Sequence, residues 1–129
     1  MQILARERWS RAPLPGGHSS CDYRVAVLVA FSVAPSGTGR ADGSVADAVA
    51  AAVRVVRESG LPHRTSAMFT EVEGEWDEVF DVVKRATDAV GAYGSRISLV
   101  LKADIRPGFS GELDGKLARL SAHLDTPGA

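Results

Sequence analysis

From Tyr23 the segment YRVAVLVAFSVAP sets Val25, Val27, Val29, Phe31 and Val33 at alternate positions, with Ala26, Leu28, Ala30, Ser32 and Ala34 between them. A period of two, bulky on one side and mostly small on the other, predicts a central β-strand. The loop SGTGRADG follows, and Ser44 with Asp47 three residues on predicts a helix start of the capping-box kind. Val45, Val49, Val53 and Val56 repeat at helical spacing, and Gly60 then Pro62 end that helix. HRTSAM and FTEVEG predict two short strands in a hairpin. Trp76, Val79, Phe80, Val83, Thr87 and Val90 mark the apolar face of a second helix that ends near Gly91 or Gly94. SRISLVLKADIRP alternates again, with Ile97, Leu99, Leu101, Ala103 and Ile105 opposite Ser98, Val100, Lys102, Asp104 and Arg106. A short last helix, from about Glu112 to His123, carries Leu113, Leu117, Leu120 and Leu124.

The order β-α-β-β-α-β with a terminal helix predicts an α+β fold, a ferredoxin-like βαββαβ sandwich. Both helices then cover one face of an antiparallel sheet, and strand one lies between strands three and four. A chain of 129 residues suffices for one domain with a real core and is short for two. The domain is expected over residues 23–124. Residues 1–22 are expected to be a flexible extension, or the product of a start codon assigned too far upstream, and 125–129 a tail. The start lacks the apolar stretch of a secretory signal, and no apolar run approaches membrane-spanning length. With one cysteine, Cys21, no internal disulfide forms, and a cytoplasmic location is expected. A net charge of −1 gives none of the basic excess that drives binding to nucleic-acid phosphates, so no nucleic-acid partner is expected.

Two helices leave one sheet face bare, and alternation puts Ala26, Leu28, Ala30, Ser32 and Ala34 on it, with Phe69, Glu71 and Glu73 on one side and Val100, Lys102, Asp104 and Arg106 on the other. Glu73 and the Lys102–Arg106 stretch would flank Ala26 at roughly 9 to 10 Å across two strand spacings, making a shallow groove with charged walls. Of the five carboxylates in FTEVEGEWDEVF, Glu75, Asp77 and Glu78 fall at a helix start, where the macrodipole stabilises them. Glu71 and Glu73 share a strand face, where they either pair with Lys102 or Arg106 or form a socket for a cationic or hydrogen-bonding ligand. Leu28, Phe69 and Val100 on an uncovered face predict self-association, as a dimer or tetramer.

SGTGRADG lacks the third glycine of a dinucleotide fingerprint and any following Gly-Lys-Ser/Thr, so it reads as a strand-to-helix turn, with Ser36 and Thr38 its candidate ligand contacts. His18 and Cys21 make half a metal site, His63 and His123 have no partner nearby in sequence, and no metal or cofactor is expected. No serine lies in a nucleophile elbow, and no catalysis is expected.

AFSVAPSGTG, RESGL, AMFTEVEGEWDEV and LVLKADIRPG resemble, in order and spacing, the small thiamine-binding proteins with a YkoF-like, ferredoxin-like fold. The resemblance runs from about Val25 to about His123. It implies a non-enzymatic protein whose subunits pair through their sheets, binding thiamine or its hydroxymethylpyrimidine portion. Pro35, Gly37, Thr38, Thr70, Glu73, Gly74, Lys102, Asp104 and Arg106 match recurrent family positions. Where the family hairpin often reads Pro-Met-Gly-Thr this chain has Ala67, Met68, Phe69 and Thr70, so a phenylalanine replaces glycine. That ring either stacks on a ligand or fills its pocket. The expected ligand-binding set is thus Ser32, Ser36, Thr38, Phe69, Thr70, Glu71, Glu73, Lys102, Asp104 and Arg106, at the open sheet face near a subunit interface. The alternatives are a regulatory or oligomerisation module of the amino-acid-sensing type without thiamine binding and, ranked last, a small isomerase or monooxygenase on a related dimer.

Overall fold

The computed structural model describes residues 25–126. The expected N-terminal extension, the His18–Cys21 pair and the end of the tail lie outside them. Four strands, β1 (Ala26–Ser36), β2 (His63–Thr65), β3 (Thr70–Glu75) and β4 (Arg96–Ile105), form one sheet in the order β2-β3-β1-β4. Every neighbouring pair is antiparallel. Helices α1 (Ala46–Glu58) and α2 (Trp76–Val90) cross over between strands, a 3-10 turn (Gly91–Tyr93) follows α2, and α3 (Glu112–Leu124) ends the fold. The ferredoxin-like arrangement with an additional terminal helix is therefore the observed one.

The alternation in β1 sorts its side chains as expected. Val27, Val29, Phe31 and Val33 are buried, joined by Val72 of β3 and by residues of α1 and α2. Each valine or larger side chain so buried contributes about 1.5–3 kcal/mol. On α1 the buried stripe differs from the expected one. Ala48, Ala52 and Val56 are buried, whereas Val49 is exposed and Val53 only half-buried. Alanines let this helix approach the core closely, which rotates Val45, Val49 and Val53 to its flank. The expected capping box does not form: Val45 is the N-cap, and no side chain caps it. Asp47 instead accepts from the Ala48 N–H at 2.9 Å and pairs with Arg40. On α2, Val79, Val82, Val83, Ala86 and Val90 are buried, and Trp76 stacks on Phe80 near the surface with ring centroids 4.8 Å apart.

Two corrections concern the hairpin. β2 is shorter than the six-residue run HRTSAM and β3 starts one residue later than FTEVEG, because residues 66–69 form the turn, closed by the Ser66 N–H donating to the Phe69 carbonyl at 2.9 Å. Phe69 thus lies in the turn rather than on the strand face. The register also differs: Glu73 faces Leu28 across β3 and β1, and it is Glu75 that faces Ala26.

Gly94 meets its neighbours tightly. A Cβ there would lie 2.5 Å from the Ser36 carbonyl oxygen, so only glycine lets the start of β4 approach the end of β1.

Candidate functional site

The expected site residues fall in two places. The first is the lower half of the open face, and there the groove is filled by the chain itself. Leu28 lies between Glu73 on β3 and Asp104 on β4, and the first turn of α3 settles over this end of the sheet. Glu73, only 6% exposed, accepts from the backbone N–H of Glu112 at 2.7 Å and faces the N–H of Leu113 at 3.5 Å. A carboxylate at a helix N-terminus satisfies donors that have no partner within the helix and complements the macrodipole. Glu73 is therefore a remote cap for α3, which corrects the expectation that it walls an open groove.

Further contacts clamp the same turn. Arg64 of β2 donates to the Leu113 carbonyl at 3.3 Å and pairs with Asp114 at 2.5 Å. Lys116 pairs with Asp104. The hydrogen bond from Lys116, together with the nearby Lys102 and Arg106 charges, holds the Asp104 carboxyl below the usual carboxylate range. Arg106 stacks on the Phe109 ring, its guanidinium carbon 3.5 Å from the centroid. Asp104 and Arg106, like Glu73, are thus engaged within the chain. Glu71 and Lys102 flank Ala30 on the upper half of the face, which continues past Ser32 to Val100, 56% exposed.

The second place is a cleft of about 270 Å³ at the far end of β1. It exists because β1 outruns its neighbour: β3 pairs with β1 only as far as Phe31, whereas β4 pairs with it through Ser36. In the gap beyond Phe31 the 66–69 turn leans toward α1. Phe31, Ser32, Val33 and Ala34 form one wall, the N-cap Val45 with Val49, Ala52 and Val53 of α1 another, and Thr65 through Thr70 the third. Of the expected site residues this cleft gathers Ser32, Phe69 and Thr70. Thr70 is buried, with its hydroxyl 3.3 Å from that of Thr65. Phe69 lines the cleft without filling it.

Ser36 and Thr38 do not reach the cleft. The Ser36 carbonyl accepts from the Ser95 N–H at 3.0 Å, and the Thr38 hydroxyl accepts from the Arg40 N–H at 3.2 Å. Arg40 in turn pairs with Asp42 at 2.9 Å, which lowers the Asp42 carboxyl, and with Asp47 at 3.4 Å. These are the contacts of a strand-to-helix turn. The sequence reading missed Val45, Val49, Val53, Thr65, Ser66 and Met68. The valines were visible as a helical stripe, and only their assignment to the core hid them. Among the described residues no group of three or more His, Cys, Asp or Glu side chains could hold a metal ion, and no helix is long and apolar enough to cross a membrane.

A core built on one central strand, a short hairpin and two covering helices, with a small cleft where that strand runs on alone, defines an α+β protein suited to a small ligand. Residues 29–121 match the family model described as thiamine-binding protein, and the chain belongs to that family. It is 48% identical over 104 residues to a UPF0045 protein of Mycobacterium bovis, covering 80% of this chain and 99% of that one. A UPF0045 protein of Synechocystis is 37% identical over 100 residues, covering 77% and 80%. Among solved structures, a domain of unknown function, DUF77, from Bacillus cereus superposes with a TM-score of 0.67 at 32% identity, covering 78% of this chain and 94% of that one. A Thermotoga maritima protein assigned provisionally to thiamine biosynthesis or salvage superposes with a TM-score of 0.60 at 25% identity, covering 73% and 99%.

Proposed function

We propose that this protein binds thiamine through its pyrimidine half, or the free hydroxymethylpyrimidine, in the cleft at the end of β1, and does so without catalysis. The family membership supports a small-molecule ligand of this kind. The observation that carries the choice of half is the lining: its described side chains are aliphatic, aromatic or hydroxyl-bearing, with the one thioether of Met68, and none is charged. A neutral heteroaromatic ring suits such a site, whereas a bare thiazolium cation would lose hydration there without gaining a counter-charge. The size agrees. About 270 Å³ lies just under the roughly 300 Å³ at which drug-sized sites begin, which is room for one substituted ring with its neighbour projecting outward. Phe69 at the edge of the cleft is placed to stack on that ring. The same lining supports the non-enzymatic reading, since hydroxyls are its only proton-bearing side chains.

Isothermal titration tests this directly. Hydroxymethylpyrimidine and thiamine should bind with similar affinity and the isolated thiazole not at all; no heat from either pyrimidine at millimolar concentration would end the proposal. The oligomerisation-module reading is favoured by one observation, the exposure of Leu117, Leu120 and Leu124 along one side of α3. It predicts a silent titration with self-association intact.

A further inference from the structure

We infer that the ring is read by the backbone of one residue, Val33, whose N–H and C=O both face the cleft unpaired. Resting on the pyrimidine reading above, this assigns the ligand class more narrowly: a flat ring carrying an amine beside a ring nitrogen.

The direction of these two groups follows from hydrogen bonds elsewhere in the sheet. In an antiparallel ladder the N–H and C=O of a residue point to the same side, and successive residues alternate. On β3 the Glu73 N–H donates outward to the Pro62 carbonyl, and in the turn the Phe69 carbonyl accepts from Ser66. The odd-numbered residues of this segment therefore face β2, and Thr70, Val72 and Gly74 face β1. Their partners across the ladder are Phe31, Val29 and Val27, so the odd-numbered residues of β1 face β3. The other edge agrees, because the carbonyl of Ser36 turns to the β4 side and accepts from Ser95.

Val33 is the next residue in that odd series, and β3 has already ended at Thr70, opposite Phe31. Among the described residues nothing pairs with its outward N–H or C=O. Val33 is nevertheless only 6% exposed and lines the cleft. Buried backbone groups are almost always paired, with protein, water or ligand. Pro35, the next odd position, has no N–H to offer, so Val33 alone presents both a donor and an acceptor on this edge.

An amine next to a ring nitrogen is the complement of that pair. The amine donates to the Val33 carbonyl, and the ring nitrogen accepts from the Val33 N–H, as a neighbouring strand residue would. The aminopyrimidine of thiamine has this edge; a thiazolium does not. Ser32, whose hydroxyl has no partner among the described residues, lies beside it in the cleft wall.

Two measurements test the inference. In an amide-resolved exchange experiment on the free protein, the Val33 N–H should exchange faster than those of Val27, Val29 and Phe31, which are paired to β3. Saturation with hydroxymethylpyrimidine should then protect it and shift its resonance strongly. In titrations, the same pyrimidine with its ring amine replaced by hydrogen should bind on the order of tenfold to a hundredfold more weakly, because it leaves a buried carbonyl unpaired. If the amine-free ring binds equally well, or the pyrimidine binds while the Val33 amide stays unchanged and the largest shifts fall at Glu71 and Lys102, the inference is overturned and the binding function stands. If no pyrimidine binds, both fall together.

Discussion

Glu73 shows how much one side chain's role depends on what reaches it from far along the chain. On its own strand it is one of three acids on a shared face, and electrostatics alone would suit it to a cation. The backbone N–H groups of α3 reach it first. Replacing Glu73 with Ala should lower unfolding stability by about 1–3 kcal/mol, since it orphans donors at a buried helix start. Glu73→Gln keeps one acceptor oxygen and should lose less. Urea unfolding of both variants checks the order, and an Ala variant as stable as the parent would refute the capping role. Neither change should alter pyrimidine affinity, because Glu73 is not part of the cleft.

At the scale of elements, the join between β1 and β4 is set by close approach of backbone. Gly94→Ala should destabilise by roughly 1–3 kcal/mol, because its Cβ would meet the Ser36 carbonyl oxygen at 2.5 Å and backbone cannot swing away. Gly74→Ala should be milder, its nearest contact being the movable Leu61 side chain at 3.2 Å. Equal losses in chemical denaturation would count against this account. Element types and order were legible in the sequence because β1 is buried on one side only, so its alternation is strict, and because α2 is amphipathic throughout. The α1 stripe was displaced because alanine and valine alternate as candidate core residues, and periodicity does not say which the neighbours demand. The cleft was not legible. It depends on β3 beginning only at Thr70, directly after a turn that carries no glycine or asparagine, and on a register that only long-range pairing fixes. The Glu73 cap spans 39 residues, beyond any local capping signal.

The whole molecule keeps one long strand at its border. Among the described residues β4, from Arg96 to Ile105, is paired on one side only, with Leu99 and Val100 exposed, and such an edge invites another strand. A second copy laid antiparallel about a two-fold axis at Val100 sets Arg96 against Asp104 of that copy, Ser98 against Lys102, and Leu99 against Leu101. Sliding the pair by two residues either way brings Arg96 against Lys102 or Arg106 instead, where like charges repel. The protein should therefore sediment as a dimer or a multiple of it, and Val100→Lys, which places two ammonium groups face to face on the axis, should release monomers. A parent chain that remains monomeric at high concentration would dismiss this pairing.

Because the N-terminal cap of α3 is supplied by β3, this helix docks on a carboxylate 39 residues earlier in the chain. A fragment ending before Glu112 would keep the four described strands and both covering helices, yet leave the carboxylate of Glu73 bare under solvent. That corner of the sheet is sealed only where α3 lies down on it.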